Sequence, residues 1–203
     1  MTQSLARRAL LLSYFTVTYN VLEGIVSVAA GYLTSSTALL GFGIDSFVES
    51  LSGIVMIWRF SADASYSTET DARREEVAGR LVAAALIVLG AYVAYESTTH
   101  LYTGEKPDRS AIGIAIAVVS LLVMPVLYYA KRQTAKLLNS RSFQADAKQT
   151  LACVLLSVAL LVGVGLHYLW DWWQADPIAG LLIALYVIRE GYEVWRHKEI
   201  VCC

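Results

Sequence analysis

The chain has 203 residues, carries 16 Lys and Arg against 17 Asp and Glu, and is 57% hydrophobic. A soluble domain averages about 45–50% apolar residues. This composition therefore excludes an ordinary water-soluble domain, and the near-neutral charge gives no footing for a nucleic-acid binder. Six apolar stretches, over 9–32, 38–60, 77–102, 110–130, 143–170 and 177–195, each approach the length that crosses a hydrocarbon layer. The sequence thus predicts an all-α, six-helix transmembrane bundle, with residues 1–203 as one membrane domain. The first run is too long for a cleavable signal peptide and lacks a small-residue cleavage site.

The first span carries Thr16, Asn20, Glu23 and Ser27, the repeat of a single helix face. The second carries Asp45, Glu49 and Ser52 in the same way. An ionised carboxylate at the bilayer centre costs about 2.5–3.5 kcal/mol even on the lenient insertion scale, so a pair needs compensation. Asp45 and Glu49 are one turn apart on one face and can share an ion, which reads as a metal or proton site. In the third span, Glu96 and His100 are spaced for a second metal site or an entry vestibule, with solvation at the membrane surface as the plainer reading. The fourth span offers only Ser120 among its central residues and a helix-bending Pro125, which places it at the periphery. The basic stretch from Lys131 to Arg141 reads as a loop.

The fifth span carries Asp146, Thr150, Cys153 and Ser157, with Gln149 one turn before Cys153. Counted from the basic end of each span, Asn20, Glu49 and Cys153 lie at matching depths of about 15–16 Å, with Asp45 and Glu23 one turn further. Ser, Thr and Asn also mediate plain helix packing in membranes, so Thr16, Ser27 and Ser157 keep both readings. Glu190 and Glu193 of the sixth span sit by Arg189 and read as local ion pairs. The tail bears His197, Cys202 and Cys203, soft metal donors on a stretch that otherwise reads as disordered. Cys153 lies inside a span and the other two cysteines on the reducing side, so all three are expected as free thiols.

Of the Lys and Arg residues, only Lys106 and Arg109 fall on one side of the expected spans. Positive charge marks the cytoplasmic side, so both termini and the loops near Arg73 and Arg132 are expected there. Tyr168, Trp170, Trp172 and Trp173 then cluster at the external surface, where aromatic rings settle at headgroup level.

Asn20, the run Ser36-Thr37-Ala38-Leu39-Leu40-Gly41-Phe42-Gly43-Ile44-Asp45-Ser46 with Glu49, and Ala145-Asp146 through Cys153 together resemble the cation diffusion facilitator family. The resemblance spans all six helices. It implies a homodimer in the cell (plasma) or inner membrane that exports divalent metal, commonly zinc, often against protons. Its central site sets two ligands on span two against two on span five, which fall here on Asp45, Glu49, Gln149 and Cys153. Family members usually have His or Asp followed by Asp at the second pair. A thiolate and an amide oxygen there admit Zn²⁺, and Cd²⁺ or Co²⁺ more readily than Mg²⁺ or Ca²⁺. Asn20, Glu23 and Asp146 complete the candidate metal and proton residues. Many members append a cytoplasmic metal-binding domain, whereas few residues follow the sixth span here, so a dimer is expected to form through the membrane helices. The expected function is proton-coupled, alternating-access efflux of zinc. The alternative is a membrane metal-binding regulator or scaffold that does not transport. No nucleophile, base and orienting group stand together, so an enzyme is not expected.

Overall fold

In hydrocarbon every backbone N–H and C=O must find its partner within the chain, and a helix achieves this inside one segment. All six apolar runs accordingly form helices in the computed structural model, in the order α1 (Thr2–Thr34), α2 (Thr37–Phe60), α3 (Thr68–Thr103), α4 (Ala111–Leu138), α5 (Arg141–Trp170) and α6 (Ala175–Arg196). The structure describes residues 2–34, 37–61, 68–104, 111–170 and 174–196, with side chains at 4–33, 39–61, 72–104, 111–162, 174 and 177–196. Lys106, Arg109, Trp172, Trp173 and the tail from His197 through Lys198 to Cys202 and Cys203 lie outside the described residues, as do the side chains of Tyr168 and Trp170.

Among the described residues, five helices are long and apolar enough to cross a membrane, over Ser4–Leu33, Leu39–Phe60, Ala72–Thr103, Ala111–Leu138 and Arg141–Val162. This is a multi-pass integral membrane protein. The expected sixth span forms a helix, α6, packed along α3 and α5, but it is not one of these five. Three of its charges are paired: Arg189 Nε donates to Glu193 Oε1 at 3.0 Å, and Lys148 of α5 pairs with Glu190.

The bundle is built from three close helix pairs, α1 with α2, α3 with α6, and α4 with α5. Glycine makes the first two possible. A Cβ added at Gly43 would stand 3.1 Å from the carbonyl oxygen of Gly24, and one at Gly191 would stand 3.0 Å from that of Ala83. Between helices whose other flanks face lipid, such small residues let backbones touch and dispersion contacts accumulate. Beneath the α3–α6 pair, Val82, Leu86, Leu89, Ala184 and Val187 join Met56 and Phe143 in the apolar core, with Phe60 edge-on to Phe143 at 5.4 Å.

The stretch from Lys131 to Arg141 is not a loop. Helix α4 continues through Pro125 as far as Leu138, and the connection to α5 is the short turn at Asn139 and Ser140. Asn139 takes φ 50°, a left-handed conformation that asparagine tolerates better than most residues. Glu75 of α3 anchors this end of the bundle. Its carboxylate accepts from Arg59 Nε of α2 at 3.0 Å, Ser140 Oγ at 2.9 Å, and both the backbone N and Oγ of Ser142 at 2.8 Å.

The glycine contacts give a direct test. Gly90 faces α6, where an added Cβ would lie 3.1 Å from the Ala184 oxygen, whereas one at Gly79 would meet only Ser142 Cβ at 4.0 Å. Gly90→Val is expected to lower stability by about 1–3 kcal/mol through overpacking. Gly79→Ala should leave it unchanged, as read by thermal unfolding in detergent.

Candidate metal site

The polar stripes of the first, second and fifth helices all turn inward. Thr16, Asn20, Ser27, Glu49, Asp146, Gln149, Thr150 and Ser157 are fully buried, and Asp45, Ser52 and Cys153 nearly so. Helices α2 and α5 meet through three side-chain contacts spaced along the interface. The Cys153 thiol donates to Asp45 Oδ2 at 3.0 Å, the Thr150 hydroxyl to Glu49 Oε1 at 2.5 Å, and the Ser52 hydroxyl to Gln149 Oε1 at 2.5 Å. Glu49 also lies within electrostatic reach of the Cys153 sulfur. The two ligand pairs named from the sequence therefore face each other, although Gln149 spends its oxygen on Ser52.

Several buried polar atoms here have no hydrogen-bond partner: both amide atoms of Asn20, Asp45 Oδ1, Glu49 Oε2, Asp146 Oδ1 and Gln149 Nε2. An unpaired polar atom away from water is costly, so such groups are rare in folded interiors unless something else satisfies them. Their gathering on α1, α2 and α5 suits a site that receives a cation. Among the described residues, however, no three His, Cys, Asp or Glu side chains converge as they lie on a single metal position.

Glu23 stands one turn beyond Asn20, half-buried. Its Oε1 accepts from Tyr19 Oη at 2.9 Å and its Oε2 from Ser46 Oγ of α2 at 2.9 Å, which ties α1 to the residue next to Asp45. Asp45 itself lines a cavity of about 100 Å³ together with Gly41, Tyr92, Glu96, His100 and Pro177. Glu96 and His100 thus line the space that adjoins the site.

The main correction concerns α4, which is not peripheral. It packs against α5 and α1 and delivers Lys131, fully buried, to the carboxylates. Lys131 Nζ lies 2.8 Å from Asp146 Oδ2, in an ion pair outside hydrogen-bond alignment, and 3.9 Å from Glu49 Oε1. It also donates to Thr150 Oγ1 at 3.0 Å. The signal lay in the sequence: Ser120, Met124, Leu127, Lys131 and Thr134 repeat every three or four residues, and all five are buried. Reading Lys131 as a loop residue broke that period early.

The sequence pattern of the cation efflux transmembrane domain matches residues 13–198. The chain belongs to the cation efflux family. This is a family of membrane transporters, not of enzymes. Among relatives, the "Cadmium, cobalt and zinc/H(+)-K(+) antiporter" of Bacillus subtilis (strain 168) is 25% identical over 195 residues, which cover 94% of this chain and 61% of the relative. "Cation-efflux pump FieF" of Serratia proteamaculans (strain 568) is 24% identical, covering 83% and 59%, and "Transmembrane protein 163" of Xenopus laevis is 20% identical, covering 95% and 68%. The chain thus spans about three fifths of the first two.

In this cation efflux protein the buried charges are mutually dependent. Removing one partner of a buried ion pair leaves the other uncompensated, at a cost of about 3–5 kcal/mol. Lys131→Met is expected to lose stability on that scale, whereas Lys131→Met with Asp146→Asn recovers most of it. Denaturant unfolding of both variants in detergent checks this.

Proposed function

We propose that the chain is a divalent-metal transporter with zinc as its principal substrate and Cd²⁺ or Co²⁺ as further ones, exchanged for protons by alternating access. The observation that carries this reading is the set of unpartnered donors from Asp45, Glu49 and Asn20 beside the Cys153 thiol, inside a bundle with few other reasons to bury carboxylates. Two carboxylates, a thiolate and an amide suit a borderline-soft cation better than Mg²⁺ or Ca²⁺. Gln149 joins them if its amide turns from Ser52. The name of the Bacillus subtilis relative supports both the metals and the proton exchange.

The proton chemistry follows from the donor set. As the donor to Asp45, Cys153 carries its proton, and a metal ion binds the thiolate. A divalent ion entering between Asp45 and Cys153 displaces that proton, and the proton returns when the ion leaves. Glu23, beside Asp45 and held by two hydroxyls, is a second proton carrier. The cavity beside Glu96 and His100 serves as the route between Asp45 and the external side. The basic end around Arg59, Arg74 and Arg132 faces the cytoplasm, both termini included, and the protein works as a homodimer in the plasma membrane.

Flux into proteoliposomes across a panel of divalent ions, with and without a pH gradient, tests this reading. The parent is expected to move Zn²⁺ faster when the gradient opposes it with protons. Asp45→Asn with Glu49→Gln should abolish that flux while leaving insertion and folding intact, because charge is removed at nearly constant volume. Undiminished zinc flux in this variant would exclude the site, and binding without flux in the parent would favour a metal-binding regulator. Cys153→Ser, which keeps the volume but exchanges a soft donor for a hard one, is expected to lower cadmium flux relative to zinc severalfold. An unchanged ratio would remove Cys153 from the ligands.

A further inference from the structure

Lys131 stands outside the proposed ligand set, and two facing metal-binding helices do not of themselves call for a buried ammonium. Its contacts bind it to Glu49 twice. It approaches Oε1 directly at 3.9 Å, and it donates to the Thr150 hydroxyl at 3.0 Å, which in turn donates to the same Oε1 at 2.5 Å. Only Oε2 of Glu49 is left unpartnered.

The charge balance is equally specific. Asp45, Glu49 and Asp146 are buried with Lys131 as their one buried cation among the described residues. Three carboxylates and one ammonium leave two negative charges to attract a divalent ion, and the Cys153 thiolate adds a third once the ion has displaced its proton. Glu23 stands apart, half-buried and already held by Tyr19 and Ser46. Without Lys131 the same site would be one charge more negative and would grip the ion harder.

We propose that Lys131 is a positioning residue acting through Glu49: a tethered cation that competes with the metal for that carboxylate and sets the affinity low enough for release. This rests on the divalent-metal reading of the site. Metal entering the site draws Glu49 from the Lys131–Thr150 side, and Lys131 reclaims it as the metal departs.

The test measures equilibrium Zn²⁺ binding to the full chain in nanodiscs and zinc flux in proteoliposomes. Lys131→Met is expected to lower the Kd for Zn²⁺ by at least about tenfold, because a unit charge a few ångströms away acts strongly in so dry a setting. KM and kcat for flux should fall together as release slows. Lys131→Arg, which keeps the charge, should stay near the parent. Asp146→Asn should weaken binding by a similar factor, and adding Lys131→Met to it should bring the Kd back toward that of the parent. Should Lys131→Met fail to fold, the double variant against Asp146→Asn alone reads the same step. A purely structural lysine predicts weaker or unchanged binding when it is removed in either background, and that result would overturn the proposal. Parent protein that binds no Zn²⁺ overturns the metal-site reading and this inference with it, whereas parental binding unmoved by loss of Lys131 overturns the inference alone.

Discussion

The cost of holding ionised groups away from water governs this bundle. Asp45, Glu49 and Asp146 are buried in the bundle, together with an ammonium from Lys131. Charges so placed persist when opposite charges and hydrogen bonds surround them, and losing one partner costs several kcal/mol. The arrangement of α2, α4 and α5 follows from that requirement. Thr150 relays between Lys131 and Glu49, Asp146 takes the ammonium directly, and the Cys153 thiol satisfies one oxygen of Asp45.

The remaining helices position this cluster. Glycine contacts bring α1 against α2, so that Glu23 reaches Ser46 beside Asp45. The α3–α6 pair forms an apolar flank and contributes Tyr92, Glu96 and His100 to the cavity that Asp45 lines. At the basic end, Glu75 ties together α2, α3 and the α4–α5 turn. One end of the bundle is thus fastened by a charged network while the other adjoins a cavity, an asymmetry that suits a site reached from one side at a time.

Cation efflux proteins need to bind metal selectively and also to let it go. Asn20, Asp45 and Glu49 keep unpartnered atoms here, while Lys131 and Thr150 hold the other oxygen of Glu49.

By itself the sequence determined what a membrane enforces locally. Apolar runs of spanning length must be helices because their backbones have no other partner. Polar residues at helical spacing must turn inward because lipid cannot solvate them, so the stripes through Asn20, Asp45, Glu49 and Cys153 were legible before any fold. The tertiary structure alone decided which groups share charge. The period of α4 already placed Lys131 on the face of Ser120 and Met124, but whether that ammonium reached water or a carboxylate depended on where α5 stood. Likewise, the family resemblance marked Gln149 and Cys153 as a facing pair, while only packing against α2 gave Asp45 to Cys153 and Ser52 to Gln149. Periodicity fixes a side chain's direction around its own helix, and the partner it meets there is a property of the other helices.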